Sequence, residues 1–259
     1  MKIATWNVNS IKARLPTVIQ VLKDIDCDVV CLQEIKCETD AFPYMEIEEL
    51  GYQIEAHGQK SYNGVAILSR TQIEDVQRGL PGNEDDDQAR YIEVLTGGDN
   101  PMRVASIYLP NGNPFPGEKF NYKLRWMEHL RNRAKELLSY EEAVVLAGDY
   151  NVIPLDEDCW DPNVWKDDAL AQPESRAEFQ KIQWLGYTEA FATLEGKSHA
   201  YTFWDYQRGA WQKDHGIRID HLLISPEASD RIEKIEIYKT ARGLEKPSDH
   251  VPVVGTFRD

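Results

Sequence analysis

The 259-residue chain is poor in cysteine, in basic residues and in long apolar runs. Its four cysteines, Cys27, Cys31, Cys37 and Cys159, form no CxxC pair, which argues against a disulfide framework or a zinc site and fits reduced cytosolic thiols. No stretch approaches the roughly 20 apolar residues of a membrane helix. The N-terminal segment MKIATWNVNS lacks the apolar core and cleavage site of an export signal. A cytoplasmic protein without a membrane partner is therefore expected. Also missing are a Walker loop, GxGxxG, GxSxG and HExxH. With no Pro/Gly/Ser linker and no clear repeat, one domain spanning 1–259 is expected. Lys and Arg number 29 against 44 Asp and Glu, a formal charge of −15, which on its face argues against a nucleic-acid partner. The excess is local, however. Glu84–Asp87 and the stretch 143–174 hold eleven of the fifteen surplus negative charges. Screening over about 8 Å allows such loops to coexist with an anionic ligand bound elsewhere.

The elements alternate. Strands are expected at 2–8, 28–33, 52–57, 65–69, 73–78, 90–95, 103–109, 143–148, 201–206, 218–225, 232–238 and 251–257. Ser10 reads as the cap of a helix carrying Ile11, Leu15, Val18, Ile19 and Leu22 on one face. A short helix spans 44–50 and another 176–185. The strongest helix signal is 120–138, with Phe120, Leu124, Met127, Leu130, Ala134 and Leu138 at spacings of three and four. Its basic residues Lys119, Lys123, Arg125, Arg131 and Arg133 read as a solvated face. This is an α/β chain with substantial sheet.

Polar residues recur where the apolar strands stop. Asn7 follows IATW, Glu34 follows VVCLQ, Asp149 and Asn151 follow VVLAG, Asp220 lies in IRIDHLLIS, and Asp249-His250 precedes VPVVGTF. Each alone is an ordinary turn or boundary residue. Together they invite a shared explanation, because polar groups beside core strands are costly without partners. Carboxylates and amides with one histidine, and no nucleophilic Ser or Cys context, favour a hard cation such as Mg²⁺ or Mn²⁺ over zinc. That equipment suits phosphodiester hydrolysis.

The segments QEIK (33–36), NGVAILS (63–69), YLPNG (108–112), GDYN (148–151), YTFWDY (201–206), RIDHLL (218–223) and SDHVPV (248–253) occur in that order. Together they resemble the exonuclease III family of abasic-site DNA repair endonucleases, within the endonuclease/exonuclease/phosphatase superfamily, over essentially the whole chain. The resemblance implies a four-layer α/β sandwich of the deoxyribonuclease I type, with two packed mixed β-sheets flanked by helices. It implies a Mg²⁺-dependent nuclease, with Mn²⁺ as a substitute, that cuts 5′ to abasic sites. Activity as a 3′–5′ exonuclease, 3′-phosphatase and 3′-phosphodiesterase goes with it. The partner would be double-stranded DNA with abasic or 3′-blocked lesions, and the chain would act as a monomer.

Carried over by position, Glu34, Asn7 and Asp249 would serve the metal. Asp149 would orient or deprotonate water, Asn151 would hold that water or a phosphate oxygen, and His250, held by Asp220, would meet a nonbridging oxygen. Tyr108 would face the phosphate, with Asn9 and Asn111 in support. Phe203, Ile217 and Ile219 would line an apolar pocket for the base-free sugar, adjoined by Trp204, although a core strand explains them nearly as well. Ile217 stands where some family members have an aromatic. Arg90, Arg208, Lys213 and Arg218 would track the DNA backbone. The stretch 156–168, with Trp160 and Trp165, matches nothing in the resemblance. Two other readings stay open: the same fold acting on RNA or a non-nucleic-acid phosphodiester, and a non-catalytic RNA-binding regulator. The full set of acids and His250 argues against the latter.

Overall fold

A computed structural model describes residues 1–258. Its strands are β1 (Lys2–Asn7), β2 (Val29–Gln33), β3 (Gln53–His57), β4 (Val65–Ser69), β5 (Ile73–Arg78), β6 (Tyr91–Thr96), β7 (Met102–Tyr108), β8 (Val144–Asp149), β9 (Thr188–Glu189), β10 (Asp220–Ile224), β11 (Ile232–Ile237) and β12 (Val253–Phe257). The helices are α1 (Leu15–Ile25), α2 (Tyr44–Glu48), α3 (Glu118–Leu138), α4 (Pro162–Trp165), α5 (Pro173–Gln183), α6 (Ala190–Leu194) and α7 (Pro226–Ser229).

Two six-stranded mixed sheets form, ordered β11-β12-β1-β2-β4-β3 and β5-β6-β7-β8-β10-β9. In each, one central pair runs parallel, β1 with β2 and β7 with β8. The central strands VVCLQ, VAILS and VVLAGD are buried at every position, because each has a sheet on one face and a helix layer on the other. Alternation sorts their side chains. Ile3, Val29, Cys31, Val65 and Ile67 meet Val94, Val104, Val145 and Leu222 between the sheets. Ala4, Trp6, Val30 and Leu32 turn outward onto Val18, Val21 and Leu22 of α1. On the far side, Ile107, Val144 and Leu146 pack on Trp126, Met127 and Leu130 of α3 and Phe179 of α5. Helix, sheet, sheet and helix make the four layers.

Several local expectations change. The first helix begins at Leu15 rather than after Ser10. Asn9 and Ser10 take left-handed backbone angles, and the amides of Val8, Ser10 and Ile11 follow the carbonyls of Gln33, Glu34 and Ile35 instead. Residues 201–206 form no strand. Only Phe203 bridges, to Ile217 and to His250, because the segment crosses the open end of the sandwich. The basic face expected on α3 is partly interior. Arg133 and Arg103 clamp the buried Glu93 at 2.7 and 3.1 Å, and Lys123 is fully buried.

Arg218 is likewise interior and not a surface cation. Its guanidinium lies 2.9 Å from Asp158 and 3.0 Å from Glu189, and all three side chains are buried. Burial would raise the Glu189 carboxyl, but Arg218 prevails and holds it down at about 2. This pair ties the 156–158 turn to β9 and β10. Arg218→Met should strand two buried carboxylates and remove roughly 3–5 kcal/mol of stability in urea unfolding. A loss below about 1 kcal/mol would show that Arg218 does not hold this corner together.

Candidate active site

The two parallel pairs bring their strand ends to one edge of the sandwich. Asn7 pairs in register with Gln33, Tyr108 with Asp149, and Asp149 with Asp220 across β10. Gly148 makes that approach possible, since a Cβ there would lie 2.1 Å from the Ile107 carbonyl oxygen. Beneath the edge, buried Gln33 accepts from Thr5 at 3.2 Å and donates to Ser106 at 2.9 Å, bridging the sheets.

Asn7 joins the two halves of the site. Its Nδ2 donates to Glu34 Oε1 at 2.8 Å and to Asp149 Oδ2 at 2.9 Å. Asp149 Oδ1 accepts the amide of Asn151 at 3.0 Å. Asn151, at a positive φ of 48°, donates its Nδ2 to the Leu109 carbonyl at 2.9 Å and accepts from Asn111 at 3.2 Å. His250 sets Nδ1 2.8 Å from Asp220 Oδ2 and Nε2 3.7 Å from Asp149 Oδ2. Ser248, which donates to the Asn7 carbonyl at 2.7 Å, anchors the turn that carries His250. Glu34 pairs with Lys36 at 2.8 Å.

Charge is crowded here. Burial raises the Asp149 carboxyl to about 7, against the pull of His250, with Asp220 and Glu34 pushing the same way as burial. Burial would lower the His250 imidazolium, but the Asp220 and Asp149 carboxylates prevail and lift it to about 10. Burial, Glu34 and Asp149 push the Tyr108 phenol far above its ordinary value, and the Arg90 guanidinium covers its ring at 4.8 Å.

Glu34 and Asp149 bring carboxylate oxygens within 4.8 Å of each other and of the His250 ring, which as an imidazolium adds positive charge there and no ligand. Oxygen donors dominate this group, and its surplus negative charge fits a hard divalent cation. Asp249 lies outside that three-residue group; its Oδ1 accepts from Asn9 at 3.1 Å.

The pocket residues fare differently. Phe203 is half-buried, with its ring edge-on to His250 at 5.0 Å. Ile217 and Ile219 lie beneath the surface with Phe120, Ile153 and Leu170. Trp204 does not adjoin an apolar sugar pocket. It is fully buried in the α1-side core, donating to Asp214 at 3.0 Å, because its neighbour Phe203 takes the opposite face. Two cavities flank the cluster. One, of about 570 Å³, is lined by Arg90, Asn111, Lys119 and Tyr62, with Asp87. The other, of about 500 Å³, is lined by Phe203, Trp160, Trp165, Arg208 and Lys213, with Asp205. Each cavity therefore mixes charges, two basic side chains with one aspartate, and the acidic runs at 84–87 and 156–168 adjoin them.

One contributor escaped the sequence reading. Lys123 Nζ, pushed down to about 7 by burial, donates to the carbonyls of Asn111 and Asn151 and joins their two loops. Its position three residues after Phe120 and four before Met127 put it on the apolar stripe, which was the available signal.

This edge has the carboxylates, amides and imidazolium of a phosphoester hydrolase on a two-sheet sandwich. The chain belongs to the endonuclease/exonuclease/phosphatase family, whose model matches residues 4–250, and within it to the exonuclease III group. It is 31% identical to the exodeoxyribonuclease III of Haemophilus influenzae, over all of both chains. A 3′ phosphatase from Neisseria bound to a product DNA hairpin superposes with a TM-score of 0.96 at 37% identity, covering all of both chains. An AP endonuclease from Archaeoglobus fulgidus gives 0.94 at 35%, covering 99% of each.

The charge arrangement predicts the titration of His250. In metal-free protein, NMR should find its ring protonated until about pH 10, and Asp220→Asn should lower the midpoint by at least about one unit. A wild-type midpoint near 6.5 would contradict the pairing.

Proposed function

We propose that the chain is a Mg²⁺-dependent DNA repair nuclease, with Mn²⁺ able to substitute, that hydrolyses the phosphodiester 5′ to abasic sites in duplex DNA. The same attack at phosphorus would remove 3′-terminal blocks and nucleotides. The observation that carries the reading is the hydrogen-bonded run from Glu34 through Asn7 to Asp149, with the His250–Asp220 pair set against it. The relatives named as an exodeoxyribonuclease, an AP endonuclease and a DNA-bound 3′ phosphatase support the substrate class.

Asp149, which Asn7 and the Asn151 amide hold in place, is a carboxylate positioned to take a proton from water. It orients a water and accepts its proton as the oxygen attacks phosphorus, while Asn151 holds that water or a phosphate oxygen. The bond from phosphorus to the 3′ oxygen breaks, that oxygen takes a proton from solvent to become a 3′-hydroxyl, and the other fragment carries a 5′-deoxyribose phosphate. His250, kept protonated and aimed by Asp220, donates to a nonbridging oxygen as charge grows there. The Tyr108 hydroxyl faces the phosphate, with Asn9 and Asn111 in support. Glu34 and Asn7 would hold the cation beside Asp149 and His250, with Asp249 joining it directly or through water. The bound ion would offset phosphate charge and polarise the phosphoryl oxygens. Phe203, with Ile217 and Ile219 behind it, bounds the sugar site, while Arg90 and Arg208 contact the backbone. We place the protein in the cytoplasm, as a monomer, where its buried free cysteines stay reduced.

Duplex DNA with one abasic analogue should be nicked with Mg²⁺ and spared in EDTA. Asp149→Asn should lower turnover by at least about 100-fold while DNA binding survives. Intact DNA at enzyme excess with Mg²⁺ would refute the activity, and near-normal turnover by the variant would reassign the base.

A further inference from the structure

Asn9 is the meeting point of the residues on the metal side. Its amide donates to Asn7 Oδ1 at 3.0 Å and its Nδ2 to Asp249 Oδ1 at 3.1 Å. Its Oδ1 accepts from Lys36, the partner of Glu34, at 2.6 Å. Asn9 and Ser10 stand at φ 43° and 82°, two consecutive left-handed residues in a turn that its surroundings must impose. Arg14 reaches that turn from outside. Its guanidinium donates to the Asn9 carbonyl, through Nε to the Pro247 carbonyl at 3.0 Å, and through Nη2 to the Tyr206 hydroxyl at 2.8 Å. The same hydroxyl donates to the Pro247 carbonyl at 2.8 Å. Arg14 and Tyr206 thus clasp the turn of Asn7 and Asn9 to the turn of Asp249 and His250. Neither belongs to the core: Tyr206 is 48% exposed and Arg14 half-buried.

We infer that Arg14, with Tyr206, is a positioning residue for the divalent cation: through Asn9 and Pro247 it sets Asn7, Glu34 and Asp249 at the spacing that binds the ion. The inference rests on the metal-dependent reading of the site and adds two residues that touch neither ion nor substrate. Charge alone would disfavour Arg14 here, because a guanidinium near a cation site repels the ion. Geometry accounts for it instead. Its planar fork serves three oxygens from separate segments at fixed angles, which a single flexible ammonium does less well. Partners of this kind govern affinity because they keep the ligands in the arrangement the ion needs.

Calorimetric titration of Mn²⁺ into the DNA-free protein tests this, because the charge and the geometry of Arg14 act with opposite sign. Arg14→Met, which keeps the stem and removes the donors, should weaken Mn²⁺ binding by about 10- to 100-fold, the usual loss when an orienting partner of a metal ligand is removed. Tyr206→Phe, which takes away one exposed hydroxyl and leaves the core intact, should weaken it by about two- to tenfold, the worth of one hydrogen bond. Turnover of abasic duplex by Arg14→Met should return towards wild type as Mn²⁺ is raised, which a damaged fold would not allow. Unchanged or tighter binding in Arg14→Met, the result of charge alone, would overturn the inference, as would a loss of turnover that excess Mn²⁺ does not restore. The nuclease reading fails separately, if wild-type protein that binds the ion leaves internal abasic sites intact.

Discussion

The structure depends on the compensation of buried negative charge at one edge of the sandwich. Asp149 and Asp220 are almost completely buried and Glu34 lies beside them. Carboxylates this close repel one another where water cannot screen them. Asn7 offsets part of this by donating to two of them at once, and His250 stands as a cation between the two aspartates. Lys36 adds a half-exposed positive charge on Glu34. The elevated Asp149 carboxyl marks what is left uncompensated. A divalent ion would remove that remainder, which links the electrostatics of the resting protein to its proposed chemistry.

The scaffold exists to hold that arrangement against its own repulsion. Parallel pairing within each sheet sends β1 and β2, and β7 and β8, to the same edge. The Gln33–Ser106 contact and the Asn7–Asp149 bond then lock one sheet to the other. Glu34, Asn9 and Asn151 adopt left-handed backbone angles, conformations that each cost about 1–3 kcal/mol for most residues and persist only where surroundings impose them. At this edge they turn the chain where the strands end.

Much of this was legible in the sequence because strand ends carry a clear signal. An apolar run halting at Asn7, Glu34, Asp149 or Asp220 gives both the element and the boundary, and seven ordered segments matched a family pattern. What was not legible depends on contacts distant in sequence. Ser10 does accept the Ala13 amide at 3.4 Å, but α1 begins only at Leu15, because the carbonyls of 33–35 hold the amides of Val8, Ser10 and Ile11. The aromatic-rich segment 201–206 reads as a strand, yet only Phe203 bridges, so Phe203 reaches His250 while Trp204 enters the core. Arg218 and Lys123 resembled surface cations until partners from remote segments enclosed them. Composition cannot reveal which charges are spent inside the fold. The −15 total therefore says little about the rim, where Arg90, Lys119 and Asp87 border one cavity and Arg208, Lys213 and Asp205 the other.

In the proposed function a divalent cation, held by Glu34, would complete this edge. Calorimetric titration of Mg²⁺ and Mn²⁺ into the DNA-free protein tests it directly. Wild-type protein should bind the ion, and Glu34→Gln should weaken binding by at least about tenfold, as loss of a charged ligand requires. Absence of binding to the wild type, or undiminished affinity in Glu34→Gln, would contradict the account.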